Sequence, residues 1–247
     1  MKRFLLLFLL TSYPGLSQTT DSTAIGTLPP KSDFKYGLMA ELGLTFTSTS
    51  LPQIRSFFRS NEIEPAGHLD PLINFGVGGR YQRLKLMIQT GFRFGFTALP
   101  REESALVAKK VNVGYTGALL GYDVVNSRNR RLYINAGIGG VAYEYSVYRR
   151  TNQVVPFQSV LQYNQAGNIP SLRLTNNFWD VNIEYSQREK RKQSIEHVLR
   201  LGYRRGIRAN AWDSDAFQLT GAPTDRISQF YFQGTYYFSS NYRKLGK

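Results

Sequence analysis

The 247-residue chain contains no cysteine, which excludes disulfides, thiolate metal sites and a lipidated N-terminal cysteine. It has only two histidines, His68 and His197, and their separation argues against a histidine-built metal centre. Beyond the first residues no apolar run approaches the roughly 20 residues that a membrane-spanning helix needs. Acidic residues are scarce: 17 Asp and Glu stand against 31 Lys and Arg, a formal charge of +14. That balance suits anionic surfaces such as lipid head groups, lipopolysaccharide phosphates or nucleic acid. Phosphate and calcium loops are also lacking. "GVGGR" at Gly76 to Arg80 and "GIGG" at Gly137 to Gly140 have no following helix, and "DSD" at Asp213 to Asp215 lacks the remaining ligands of a calcium loop. No cofactor and no metal is expected.

What is present begins with an export signature. Met1, Lys2 and Arg3 precede the unbroken apolar run Phe4 to Leu10, and a polar Thr11 to Gly15 follows. Gly15 and Ser17 set small residues on either side of Leu16, so residues 1–17 read as a signal peptide and Gln18 as the mature N-terminus. A membrane anchor is the alternative, for which the run is short. Removing Lys2 and Arg3 leaves 29 basic against 17 acidic residues, a net +12, and export argues against nucleic acid as the partner. Thr, Ser and Pro then crowd Gln18 to Asp33, predicting a flexible segment over residues 18–34.

From Lys35 onward the hydrophobic period is two, the period of β-strands. Tyr36, Leu38, Ala40, Leu42, Leu44 and Phe46 share one face of a first segment, and Ile73, Phe75, Val77, Gly79 and Tyr81 one face of a second. Leu84, Leu86, Ile88, Thr90, Phe92, Phe94 and Phe96 mark the third, and Val111, Val113, Tyr115, Gly117, Leu119 and Gly121 the fourth. Leu132, Ile134, Ala136, Ile138, Gly140 and Ala142 form the fifth, and Trp179, Val181, Ile183 and Tyr185 the sixth. Ile195, His197, Leu199, Leu201 and Tyr203 follow, and Phe230, Phe232, Gly234, Tyr236 and Phe238 close the series. None of these positions is charged, although 19% of the chain is. The opposite parity carries Glu41, Arg80, Lys85, Arg93, Asp180, Glu184, Glu196, Arg200 and Arg204.

Connections alternate strictly between short and long. Gln82-Arg83, Asp123 to Arg131 and Ser186 to Ser194 are short, whereas Thr47 to Leu72, Thr97 to Lys110, Tyr143 to Phe178 and Arg204 to Gln229 are long. This predicts an all-β fold: an eight-stranded antiparallel up-and-down transmembrane β-barrel over residues 35–238, with short periplasmic turns and long extracellular loops. The apolar segments match the about 9 to 11 residues of a tilted membrane strand, and lipid requires the sheet to close. Residues 239–247 read as a short C-terminal extension. A secreted soluble barrel of lipocalin type gives the same alternation with the apolar parity inward. Loop alternation, aromatic residues near the strand ends and a charged parity able to pair with itself favour lipid outside.

With these features the chain resembles the small outer-membrane barrel proteins of Gram-negative bacteria, the porin-like outer membrane protein beta-barrel domain family with a barrel of the outer-membrane protein A or X type. The resemblance covers about Lys35 to Phe238 and rests on the architecture and the aromatic last strand "FYFQGTYYF". It implies that Phe230, Phe232, Tyr236 and Phe238 form the signal read by the barrel assembly machinery, with Ser239 to Lys247 extending past it. It further implies residence in the outer membrane among its lipids and lipopolysaccharide.

Eight strands enclose an interior that side chains fill, so a wide pore is not expected. Glu41, Glu184 and Glu196 are expected to pair in the lumen with Arg80, Arg93, Arg200 and Arg204, because an unpaired buried charge is costly. The leading expectation is a non-enzymatic barrel, structural or partner-binding through its long loops, with an outer-membrane or periplasmic protein as the partner. A narrow porin-like channel is the alternative. A lipid-modifying enzyme built from His68, Asp70, Asp213, Ser214 and Asp215 is a further one, since the first and last long loops are neighbours in a closed barrel. Arg83, Lys85, Arg128, Arg130, Arg131, Arg188, Lys190, Arg191 and Lys192 are expected at the short turns, solvated or against phospholipid heads. Apolar clusters "LPQIRSFF" and "VVPFQSVLQY" in two long loops are either docking surfaces or covers for the barrel mouth.

Overall fold

The computed structural model describes residues 34–94, 106–125, 127, 129–149, 154, 156–162, 169–187, 191–216 and 218–242. The expected signal peptide, nearly all of the segment after it, Phe96 and residues 243–247 lie outside the described residues. Eight long strands account for most of the rest: β1 Tyr36–Ser50, β2 Leu69–Tyr81, β3 Leu84–Arg93, β4 Leu106–Asp123, β5 Arg130–Arg149, β6 Ile169–Gln187, β7 Gln193–Gly206 and β8 Ser228–Tyr242. Each pairs antiparallel with its sequence neighbours, and β1 pairs with β8 from Tyr36↔Tyr242 to Ser50↔Ser228. The sheet therefore closes on itself and leaves no edge in the wall.

Which parity faces inward decides between a soluble and a membrane barrel. Glu41, Asp180, Glu184, Arg200 and Arg204 are buried inside, while Leu38, Val77, Ile138, Leu201 and Phe230 stand outside with more than 60% of their surface exposed. Water would not tolerate such a continuous belt, so its solvent is lipid. Aromatic pairs edge the belt: Tyr36 lies 5.0 Å from Tyr81 near the short turns, and Tyr203 lies 5.6 Å from Trp179 and 4.7 Å from Phe230 toward the loops.

Strand β4 departs from expectation. Val113, Tyr115 and Leu119 are buried in the lumen, whereas Leu120 and Tyr122 face lipid; of the predicted lipid face only Val111 is strongly exposed. The register shifts between Lys110 and Asn112, a β-bulge that moves every following side chain to the other face. Between Val113 and Tyr122 both parities are uncharged, so the pattern there contained no sign. The inward Leu119 and Tyr115 fit because the facing strands carry glycine; a Cβ on Gly137 would lie 2.3 Å from the Leu119 Cδ2, and one on Gly91 2.3 Å from the Tyr115 ring.

Two turn cations are also corrected. Lys85 and Arg131 do not project to the head groups: both are buried, Lys85 against Glu184 and Arg131 against Asp123. Their carboxylate partners draw them inward, since strand parity aims both side chains at the lumen. Finally, β8 continues four residues past Phe238, with Ser239 to Tyr242 paired to β1.

Wall height is uneven. β3 has 10 residues but β5 has 20, an excess equal to roughly 30 Å of strand at about 3.3 Å per residue. The tall β4–β6 wall rises beyond the belt on the loop side, where its inner face is apolar. The first long loop folds against it. Helix α1, Pro52–Ser60, turns Ile54 and Phe58 inward at i and i+4, and the following Ile63–Glu64 adds a two-residue parallel strand to Leu106 and Val107.

Candidate functional site: a charged plug beneath an apolar cap

Charged layers, an apolar cap above them and a polar short-turn end fill the lumen. In the middle, Glu184 from β6 receives Lys85 from β3 and Arg200 from β7, the Arg200 Nη2 standing 2.8 Å from Oε2 and Nε 3.0 Å. Arg200 also reaches Glu41 of β1 at 3.2 Å. Asn74 and Gln233 donate to the Glu41 Oε1 at 2.8 and 2.7 Å, and Tyr237 donates to Glu184 at 3.1 Å. Lys85 further sits 4.4 Å from the Tyr133 ring centroid. Two carboxylates and two cations thus meet in one layer with no net charge. Inward positions on four strands, β1, β3, β6 and β7, bring them together, each aimed by strand parity.

Toward the loops, Arg204 Nε donates to Asp180 at 2.7 Å. Its guanidinium lies between the rings of Tyr115 and Tyr231, at 3.8 and 4.3 Å, a stacking that only a planar cation provides. Tyr231 and Asn182 complete the Asp180 carboxylate at 2.8 Å each. This layer is neutral as well. Above it Lys110 Nζ lies 2.7 Å from both Asp70 oxygens, with Arg93 Nε at 3.8 Å.

The uppermost layer is apolar. Leu51, Ile54, Phe58, Tyr145, Leu174, Trp212 and Ile227 pack into one buried cluster above the charge layers. Helix α1 lacks a side-chain cap of its own; Asp225, from the last long loop, supplies one. Its Oδ1 accepts from the Gln53 amide and its Oδ2 from the Ile54 amide, both at 2.9 Å, while the Trp212 indole donates to Oδ2 at 2.9 Å. One carboxylate clasps the first and last long loops over the mouth. Burial in this cap pushes the phenols of Tyr143 and Tyr145 well above the ordinary tyrosine range.

At the opposite end Arg131 meets Asp123 at 2.9 Å, Arg80 donates to the Asn241 side-chain Oδ1 at 2.9 Å, and Glu196 accepts from Ser194 and Ser239 at 2.7 and 2.9 Å. A void among Met39, Tyr133 and Tyr237 measures about 10 Å³, barely one water.

Of the expected lumen residues, the structure therefore joins Glu41, Glu184 and Arg200 in one layer and sets Arg204, Arg93, Arg80 and Glu196 in others. Lys85, Asp180 and Asp70 supply opposite charges that complete these layers. Tyr231 and Tyr237 went unremarked in the sequence although they alternate with the outward Phe230, Phe232, Tyr236 and Phe238; a tyrosine on the charged parity is the signal that finds them. The hydrolase residues are occupied separately. His68 Nδ1 lies 3.1 Å from the Thr49 carbonyl oxygen, Asp70 is buried under Lys110, and Asp215 pairs with Arg173 at 3.0 Å. Among the described residues no His, Asp and Glu cluster with metal-ligand geometry occurs.

No protein-family signature matches the sequence, and no curated protein does. Among solved structures, the chain is similar to Neisserial surface protein A at 12% identity and a TM-score of 0.42, covering 84% of this chain and 97% of that one. Ail, the attachment invasion locus protein of Yersinia pestis, matches at 9% identity and 0.41 over 83% and 99%, respectively. The outer membrane protease OmpT from Escherichia coli matches at 9% and 0.38 over 89% and 100%. These likenesses give no residue of this chain a role.

Proposed function

We infer that this is an integral outer-membrane barrel that neither conducts nor catalyses, and that acts by presenting its loop-side cap to a protein partner. The observation carrying this reading is the closure of the lumen: neutral ion-pair layers inside the membrane and an apolar cluster clasped over the mouth. A pore tuned for solutes would expose unbalanced charge along an open path, whereas here each cation in the two membrane layers faces a carboxylate. Val154 and Phe157, at the loop joining β5 to β6, are 92% and 89% exposed and offer apolar contacts to a partner. The outward aromatics of β8 serve as the segment read during assembly, the strand itself running on to Tyr242.

The direct test is conductance of the folded barrel in a planar bilayer. The expected trace is flat at moderate voltage, and reproducible stepwise openings by the wild type would sink the closed reading. Crosslinking in cells with a photoreactive residue at Phe157 tests the partner; a product that reappears with a residue placed at lipid-facing Ile138 would discount the loop.

A further inference from the structure

A groove at the short-turn rim opens on the outer wall, and its lining also takes in the inward Met39, Glu196 and Ser239. Its upper wall is made by Leu38, Ile195 and Phe238, which belong to the lipid belt, and its lower rim by Arg130 and Arg191. The volume is about 1270 Å³, above the roughly 300–1,000 Å³ of clefts for drug-sized ligands. Both arginines are exposed. Their guanidinium groups form no ion pair among the described residues, in contrast to Arg131 beside them, which Asp123 neutralises. Gln187 and Gln193 stand at the same rim with free amide surface. Charge thus falls below the belt and apolar surface within it, in one concavity.

We propose that this groove seats an anionic phospholipid of the periplasmic leaflet, its phosphate held by Arg130 and Arg191 and an acyl chain lying along Leu38, Ile195 and Phe238. The placement rests on the membrane span and not on the lumen being closed. Guanidinium groups match phosphate oxygens by forked hydrogen bonds; the carboxylate in the lining, Glu196, is buried and accepts from Ser194 and Ser239, and neither arginine pairs with it. The depth follows from chemistry: the head-group plane coincides with the step from Phe238 and Ile195 to the arginines. A neighbouring notch reinforces it. Outward Gly79 leaves open space between Leu38, Leu84 and Leu86, and this second apolar hollow of about 590 Å³ shares Leu38 with the first.

The test uses the barrel folded in detergent micelles and exposed to phosphatidylglycerol or phosphatidylcholine with identical chains, bound lipid being counted by native mass spectrometry. The wild type is expected to retain phosphatidylglycerol about tenfold better. Arg130→Gln with Arg191→Gln should reduce that preference to below about twofold, while Arg83→Gln, at another short turn, should leave it. Ala40→Trp, which fills the groove wall without touching charge, should lower retention of both lipids. Equal retention of the two lipids by the wild type overturns the proposal, as does an equal loss from Arg83→Gln, which would mean diffuse rim charge. Displacement by millimolar inorganic phosphate overturns it too, since the site would then recognise the ion and not the lipid. Conductance read on the same preparation judges the closed lumen separately.

Discussion

Arg200 is the residue on which the middle layer turns, since among the described residues it alone reaches both Glu41 and Glu184. Arg200→Met removes one of two cations from a buried four-charge set, and a loss of about 3–5 kcal/mol is expected. Denaturant unfolding followed by fluorescence measures it, with Trp179 and Trp212 as the chain's two tryptophans. Adding Glu41→Gln should restore part of the loss by rebalancing the layer; a single-variant effect under about 1 kcal/mol would show that the layer is hydrated and weakly coupled. A second prediction concerns pH. The Tyr143 phenol hydrogen-bonds Thr49 at 2.8 Å and receives Gln229 at 2.5 Å, and burial raises it above its ordinary value of 10.0. A group raised in the folded state contributes stability that is complete below its unfolded value and is lost as pH climbs toward the folded one. The cap is therefore expected to loosen only above about pH 10, and Tyr143→Phe to flatten that alkaline dependence. Phenolate absorbance against pH reads this directly: the wild type should leave Tyr143 and Tyr145 un-ionised until the cap opens, and titration of both near 10 in the folded barrel would contradict the burial.

At the scale of elements, the helix and its remote cap make the sharpest case. Leu51 stands at the N-cap position and cannot accept from the first amides, so Asp225 does so across 171 residues of sequence. Asp225→Ala should cost about 1–2 kcal/mol locally and expose the loop around Arg55 and Arg59 to trypsin while the barrel stays intact; unchanged cleavage would show that Ile54 and Phe58 hold the helix unaided. The sequence made the strands legible because lipid outside and charge inside impose opposite chemistries on alternate residues. It failed where that contrast vanished. Between Val113 and Tyr122 of β4 both parities are uncharged, so the bulge at Lys110–Asn112 leaves no trace in the pattern, and alternation alone points the inward Tyr115 and Leu119 at lipid. Pairings were harder still: Glu41 and Arg200 were visible as lumen charges, but Arg204 with Asp180, and Lys85 with Glu184, depend on register between strands. The cap was hidden for a third reason. "LPQIRSFF" has a helical apolar spacing too short to declare itself, and its N-cap lies in another loop.

For the whole molecule, the strata divide labour between two solvents: lipid selects the outer belt, and the interior is polar where the belt is apolar and apolar where the wall rises above it. The arrangement also fixes an order of events. Arg200 and Glu41 are 159 residues apart, and β1 meets β8 only when the chain's two ends come together. Hairpins of adjacent strands can form early from local contacts, but the middle layer is incomplete in every one of them. Until the last seam zips, Glu41 lacks its cation and an open sheet presents uncompensated charge toward its concave side. Closure and neutralisation then occur in a single step of high contact order, which makes the sealed barrel slow to form and leaves half-zipped forms little reason to persist.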